Sequence, residues 1–120
     1  MNKLIAMAVP ILPGQTERWH NFMNTLNSER LEDYKASRER VGVRERVFFQ
    51  HIPQGDFAIV TLEGNDPQAA FARFGEGNDS FTKWFINEVK AIHGLDLTSP
   101  PQGVIPEQLS DVGEVHISAY

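Results

Sequence analysis

Apolar and polar positions follow two different periods along this chain, and the switches between them mark its elements. Residues 3-KLIAMAVPI-11 are short and apolar and are closed off by Pro13-Gly14, the pattern of a buried strand. From there the spacing becomes helical. Trp19, Phe22, Met23 and Leu26 share one stripe, Tyr34 continues it, and Thr16 stands where an N-cap belongs. Asn27-Ser28 is placed to break or re-cap this helix, and Gly42 is a natural stop. The stretch 43-VRERVFFQHIPQGDFAIVTLEG-64 then reads as a hairpin around Pro53-Gln54-Gly55-Asp56, with Gly55 free to take positive φ. Asp66-Pro67 opens a short helix carrying Ala70, Phe71 and Phe74. Asp79 or Ser80 caps a second helical segment with Phe81, Trp84, Phe85, Val89 and Ile92 on its apolar side and Gly94 at its end. Leu95-Asp96-Leu97 is short enough for a fourth strand.

The predicted order is strand, helix, strand, strand, helix, strand. That is the ferredoxin-like βαββαβ plan, an α+β fold with an antiparallel sheet and both helical layers on one face. It predicts a ferredoxin-like domain over residues 1–97. The remaining 98–120 form an extended Pro-rich arm, with Pro100, Pro101 and Pro106 favouring an open path. Val112–Ser118 is a candidate strand along a sheet edge or a partner. One domain is the expectation for 120 residues.

The hairpin raises a problem of coverage. Phe48 and Phe49 are neighbours and point to opposite sides. If Ile52 pairs with Phe57, then Val43, Val47, Phe49 and His51 share a face with Ala58, Val60 and Leu62. The other face carries Arg44, Arg46, Phe48, Gln50, Ile52, Phe57, Ile59, Thr61 and Glu63. The first strand divides the same way, Leu4, Ala6 and Ala8 against Ile5, Met7 and Val9. Each large apolar side chain left in water forgoes about 1.5–3 kcal/mol of burial. Helices on one side cannot cover both faces, so a two-fold homodimer with sheets face to face is predicted, its contact face including Arg44, Arg46, Phe48, Gln50, Phe57, Ile59 and Glu63.

Composition narrows the partners. A net charge of −5 lacks the concentrated basic face that nucleic acid or an anionic membrane requires. The absence of cysteine excludes disulfides, thiolate catalysis and cysteine-ligated metals. The apolar start is interrupted by Pro10 and leads into a charged helix, so it reads as a strand of a soluble cytoplasmic protein rather than a signal peptide or a membrane span.

The element order, the two-sided sheet, the helix 81-FTKWFINEVKAIHGLDL-97 and the tail 100-PPQGVIPEQL-109 resemble the dimeric α+β barrel superfamily, and within it a small uncharacterised family, over roughly residues 3–109. The superfamily includes cofactor-independent monooxygenases of aromatic polyketides, haem-degrading enzymes, muconolactone-isomerase-like enzymes and stress-response proteins. Fold analogy does not choose among them. The Asn, Trp and His arrangement of the haem-degrading members has no position-by-position match here, so none of it is carried over.

Two classes of function follow. In one, a cavity between helices and sheet binds a small apolar or aromatic molecule, walled by Trp19, Phe22, Phe49, Trp84 and Phe85, without cofactor or metal. The same cavity could serve a cofactor-independent monooxygenase- or isomerase-like enzyme, with His51 at a strand end as general base and His20 as a further candidate. In the other class these aromatics are plain core of a structural dimer. Glu17-x-x-His20 places two ligand types on one helix face but lacks the second copy that a di-metal site needs. His93 at a helix end complements the helix dipole, and His116 has no evident partner. Arg44, Arg46 and Glu63 read as inter-subunit ion pairs or as contacts to an acidic ligand. Gly75-Glu76-Gly77 lacks the strand and lysine of a phosphate loop and reads as a break between helices or a lid.

Overall fold

A computed structural model describes residues 2–99 and 105–115. Its elements are β1 (Lys3–Pro10), α1 (Thr16–Leu26), α2 (Leu31–Val41), β2 (Val43–Ile52), β3 (Gly55–Gly64), α3 (Pro67–Ala72) and α4 (Ser80–His93). The fold is α+β, with a three-stranded antiparallel sheet in the order β1-β3-β2 and four helices. The helical stretch before β2 divides into two helices at the expected Asn27-Ser28 break. Its polar break works by side chains bonding back to the preceding turn: Ser28 Oγ donates to the Asn24 carbonyl (2.6 Å) and Asn27 Nδ2 to the Met23 carbonyl (3.0 Å). Gly42 and Gly94 end α2 and α4 in the left-handed conformation, at φ 74° and 70°. Asp66 and Asp79 cap α3 and α4 by accepting from the Ala69 and Thr82 amides. Thr16 does not cap α1. It is the first helical residue, and its hydroxyl reaches a partner on β3 instead.

The hairpin is tighter than predicted. Ile52 pairs with Gly55, not Phe57, leaving only Pro53 and Gln54 between the strands. The difference is an even number of residues, so each side chain keeps its predicted face. The helices cover the face of Met7, Val9, Val47, Ala58, Val60 and Leu62, and the core closes around Leu26, Leu62 and Ile92, each at most 1% exposed. The opposite face carries Leu4 and Phe48, 50% and 55% exposed, with Ile52, Phe57 and Ile59 half-buried around them. None of these joins the core.

The predicted fourth strand is absent at Leu95–Leu97, which is irregular. The Asp96 carboxylate accepts from the Thr98 amide (2.9 Å), the Thr98 hydroxyl (2.6 Å) and the Ser99 hydroxyl (3.2 Å), turning the chain before a ladder can form. Leu95 and Leu97 pack on the core instead. The outer edge of β1 is therefore unpaired among the described residues. Residues 105–115 have neither helix nor strand, and Leu109, Val112 and Val115 are exposed. Pro100, Pro101, His116 and the end of the proposed tail strand lie outside the described residues. Among the described residues no helix is long and apolar enough to cross a membrane.

Gly75 ends the α3 region against the irregular 95–97 segment. A Cβ there would fall inside contact distance of the Leu97 carbonyl, so the backbone itself would have to shift. Gly75→Ala should therefore destabilise the fold by about 1–3 kcal/mol, measured by urea denaturation.

Candidate functional site

Helices and sheet do not close completely on one another. A half-open cavity of about 70 Å³ remains between them. Its walls are largely apolar: Met7, Val9 and Val60 from the sheet, Trp19 and Phe22 from α1, Phe85 and Val89 from α4. Three polar side chains interrupt that lining: Tyr34, Glu45 and His93.

Glu45 lies on β2 between Val43 and Val47, so strand alternation turns it inward with them. Its Oε1 accepts from Arg38 Nε at 2.6 Å and from the Tyr34 hydroxyl at 2.7 Å. The Arg38 and Glu45 side chains are only 7% and 8% exposed. Two charges this deep are tolerable only as a pair with further hydrogen bonds. Arg38 Nη1 donates to Ser37 Oγ at 2.8 Å, and the guanidinium sits 3.8 Å from the Phe74 ring centroid and 4.8 Å from that of Phe85. Arg38 Nη2 has no partner among the described residues. Burial, reinforced by the Glu45 charge, raises the Tyr34 pKa far above its ordinary value, so the phenol stays protonated and serves as donor to Glu45.

His93 closes another part of the wall. Its Nδ1 lies 2.8 Å from the Pro10 carbonyl, which can only accept, so Nδ1 carries the proton. Burial pushes its pKa down, opposed by that hydrogen bond. The helix-end histidine expected as a cation for the α4 dipole is thus a group that favours its neutral form, with Nε2 as an acceptor.

A second polar cluster sits where the hairpin meets the start of α1. His51 pairs with Asp56 across the strands, and its Nδ1 contacts Asp56 Oδ1. Asp56 Oδ2 accepts from Thr16 Oγ1 at 2.5 Å. The Thr16 and then the His51 hydrogen bonds hold the Asp56 pKa below its usual value. Phe49, on the same face of β2 as His51, lies 4.8 Å from the His20 ring and 5.3 Å from Trp19. His20 and His51 are exposed.

The predicted site residues therefore divide. Trp19, Phe22 and Phe85 line the cavity. Phe49 does not; it is 40% exposed and belongs to the hairpin-end cluster with His51 and His20. Trp84 lies outside the cavity wall, packed on Phe22 and Phe81 beneath the Arg30 guanidinium. Glu17 and His20 gain no further ligands, since no group of three His, Asp or Glu among the described residues is placed to hold a metal. Of the predicted contact face, Arg44, Phe48 and Gln50 are exposed, Phe57 and Ile59 half-buried, and Arg46 bonds Glu63 within the chain at 3.1 Å. Sequence reasoning passed over Glu45, Arg38, Asp56 and the cavity role of His93. The parity of Glu45 with Val43 and Val47 was the available signal.

No protein-family model, no curated protein and no solved structure matches this chain.

Removing one partner of the buried pair strands the other charge. Glu45→Ala should cost about 3–5 kcal/mol of stability, read as a shift in urea midpoint with unchanged slope. The His93 pKa is lower folded than unfolded, so the unfolded chain binds the extra proton. Stability contributed by neutral His93 is present above the ordinary histidine pKa of about 6.5 and falls as pH drops through it. The depressed Asp56, Asp79 and Asp96 act in the separate window below about pH 4, where their stabilisation is lost as they protonate. Between pH 7.5 and 5.5, wild type should therefore lose more stability than His93→Gln in parallel denaturation curves.

Proposed function

We propose that this chain is a ferredoxin-like subunit of a dimeric α+β barrel that binds a small apolar or aromatic molecule between helices and sheet. The observation that carries the reading is the combination at the cavity: an open apolar space whose walls carry Glu45, ion-paired to the buried Arg38 behind it, a bonded phenol, and a histidine whose pKa burial pushes down. Replacing a buried ion pair by apolar packing is often neutral or stabilising. A purely structural core has no need of one beside a void, whereas convergent polar groups in an apolar pocket are the usual build of a ligand site. The size restricts the ligand. About 70 Å³ is well below the ~300 Å³ of drug-sized sites and about half of the ~150 Å³ apolar cavity that admits benzene. A short apolar chain fits that limit, and a single ring fits only with part of it left in the open mouth; a fused-ring system does not.

The same proposal includes dimerisation through the helix-free sheet face, which the exposed apolar side chains there support. Leu4 and Phe48 are exposed there with no cover from the described residues. A second reading, a cofactor-independent monooxygenase- or isomerase-like enzyme, draws on the hairpin-end cluster. Asp56 bound to His51 Nδ1 is the arrangement that orients an imidazole for proton transfer at Nε2.

Static light scattering at micromolar concentration should give twice the chain mass, and Phe48→Glu should give the single-chain mass without loss of helical signal. In the folded protein, phenol or toluene should shift the NMR resonances of Trp19, Phe22 and Val89. A monomeric wild type would remove the dimer. Absence of any shift with either compound would leave the structural-dimer reading.

A further inference from the structure

We propose that the outer edge of β1 is a strand-pairing site, and that its occupant is the stretch 107–112 of a second copy of this chain. The inference rests on the dimer reading above and adds a second contact to it. A strand edge presents unpaired N–H and C=O groups from every second residue, a template for another strand. Such edges are ordinarily blunted by charge, proline, a bulge or a covering element. β2, the other edge of the sheet, carries Arg44, the inward Glu45 and Arg46. β1 has neither charge nor proline from Leu4 to Val9. Its residues match β3 one to one from Lys3 to Pro10, so no bulge twists the edge away. The strand expected beside it from Leu95–Leu97 does not form.

The C-terminal arm has the complementary surplus. Residues 107–112 lie between Pro106 and Gly113, whose φ of 98° ends an extended run, and that length is ordinary for a strand. Leu109, Val112 and Val115 are 86–90% exposed, apolar side chains that their own chain leaves in water. The arm runs past its own β1 without joining it. A gap of about 990 Å³ lies between Lys3, Leu4 and Ile5 on one side and Glu107, Gln108 and Ser110 on the other. No hydrogen bond crosses it among the described residues. Paired strands, about 4.8 Å apart, leave no such space. Antiparallel pairing of β1 with the β1 of a second copy would put both helix-free faces on one side and leave Leu4 and Phe48 in water. An arm laid on the edge keeps that face free for the partner's sheet. β1 also contributes Leu4 to the proposed dimer face, so edge and face form one continuous surface for a single partner.

The chain has no cysteine, so an introduced pair reports alone. Ala6 and Ala8 are exposed on β1, and Ser110 and Asp111 are exposed on the arm, so substitution there spares the core. Full-length chains carrying Ala6→Cys or Ala8→Cys together with Ser110→Cys or Asp111→Cys are oxidised at micromolar concentration and run on a non-reducing denaturing gel. A disulfide forms only where the two Cα atoms lie within about 7 Å, and the combinations sample both faces of the arm and two registers. At least one combination should convert most of the chain to a covalent dimer, and no single substitution should. A bond within one chain would assign the edge to the chain's own arm. A dimer from Ala6→Cys or Ala8→Cys alone would assign it to a second β1, and one from an arm cysteine alone would set the arms against each other. Each of these results, or no bond in any combination, overturns the inference. Light scattering on the wild type separates it from the dimer itself. A dimer without the bond keeps the face-to-face contact and loses only the exchanged arm, whereas a monomer removes both.

Discussion

The contact between Arg38 and Glu45 ties the molecule together. It joins α2 to β2, two elements that meet in sequence at Gly42 and then diverge. The guanidinium lies against Phe74, beyond the end of α3, and Phe85 of α4, so one buried cation touches three separate segments of chain. Its depth makes the arrangement all-or-none. A pair this far from water tolerates little displacement, because a longer separation loses Coulomb energy without regaining hydration. The helical layer is thereby held at a fixed height over one corner of the sheet, and the cavity exists because side chains elsewhere do not fill the space so defined.

The second polar cluster shows the same economy at the other end of the hairpin. Thr16 stands at the head of α1, Asp56 at the start of β3 and His51 near the end of β2, and one carboxylate bonds both of its neighbours. The Ile11 amide also donates to the Asp56 carbonyl at 2.9 Å, and His93 bonds the adjacent Pro10. The turn, the end of β1, the head of α1 and the end of α4 thus meet around a few hydrogen bonds. The three histidines among the described residues, His20, His51 and His93, all belong to this end of the sheet, contributed by α1, β2 and α4.

Much of the layout was legible from periodicity and punctuation. Gly42 and Gly94, Asp66-Pro67 and Asp79 act through local backbone chemistry, which a sequence shows directly. The hairpin faces survived an error in the assumed pairing because alternation depends only on whether a shift is even or odd. What escaped was set mostly by tertiary partners, and in one place by a local side-chain turn. Thr16 reads as a cap until an aspartate forty positions away competes for its hydroxyl. Leu95–Leu97 reads as a strand until the Asp96 carboxylate collects the following amide and hydroxyls. Glu45 looks like a surface charge in a run of charges; its parity with Val43 and Val47 turns it inward, and only the position of Arg38 after folding shows what makes its burial tolerable. His93 looks like a helix-end cation, and only its burial reverses that assignment.

The two-residue connection between β2 and β3 has a consequence for how such a chain could drift over time. Lengthening that loop by an even count, or trimming the strand tips by one pair, keeps every inward group inward, Glu45 included. A single inserted residue that slid β2 past β3 would send the carboxylate outward and put Arg44 or Arg46 beneath the helices. The lineage of this hairpin should therefore tolerate length variation at its tip in steps of two, and resist steps of one wherever no bulge absorbs the odd residue.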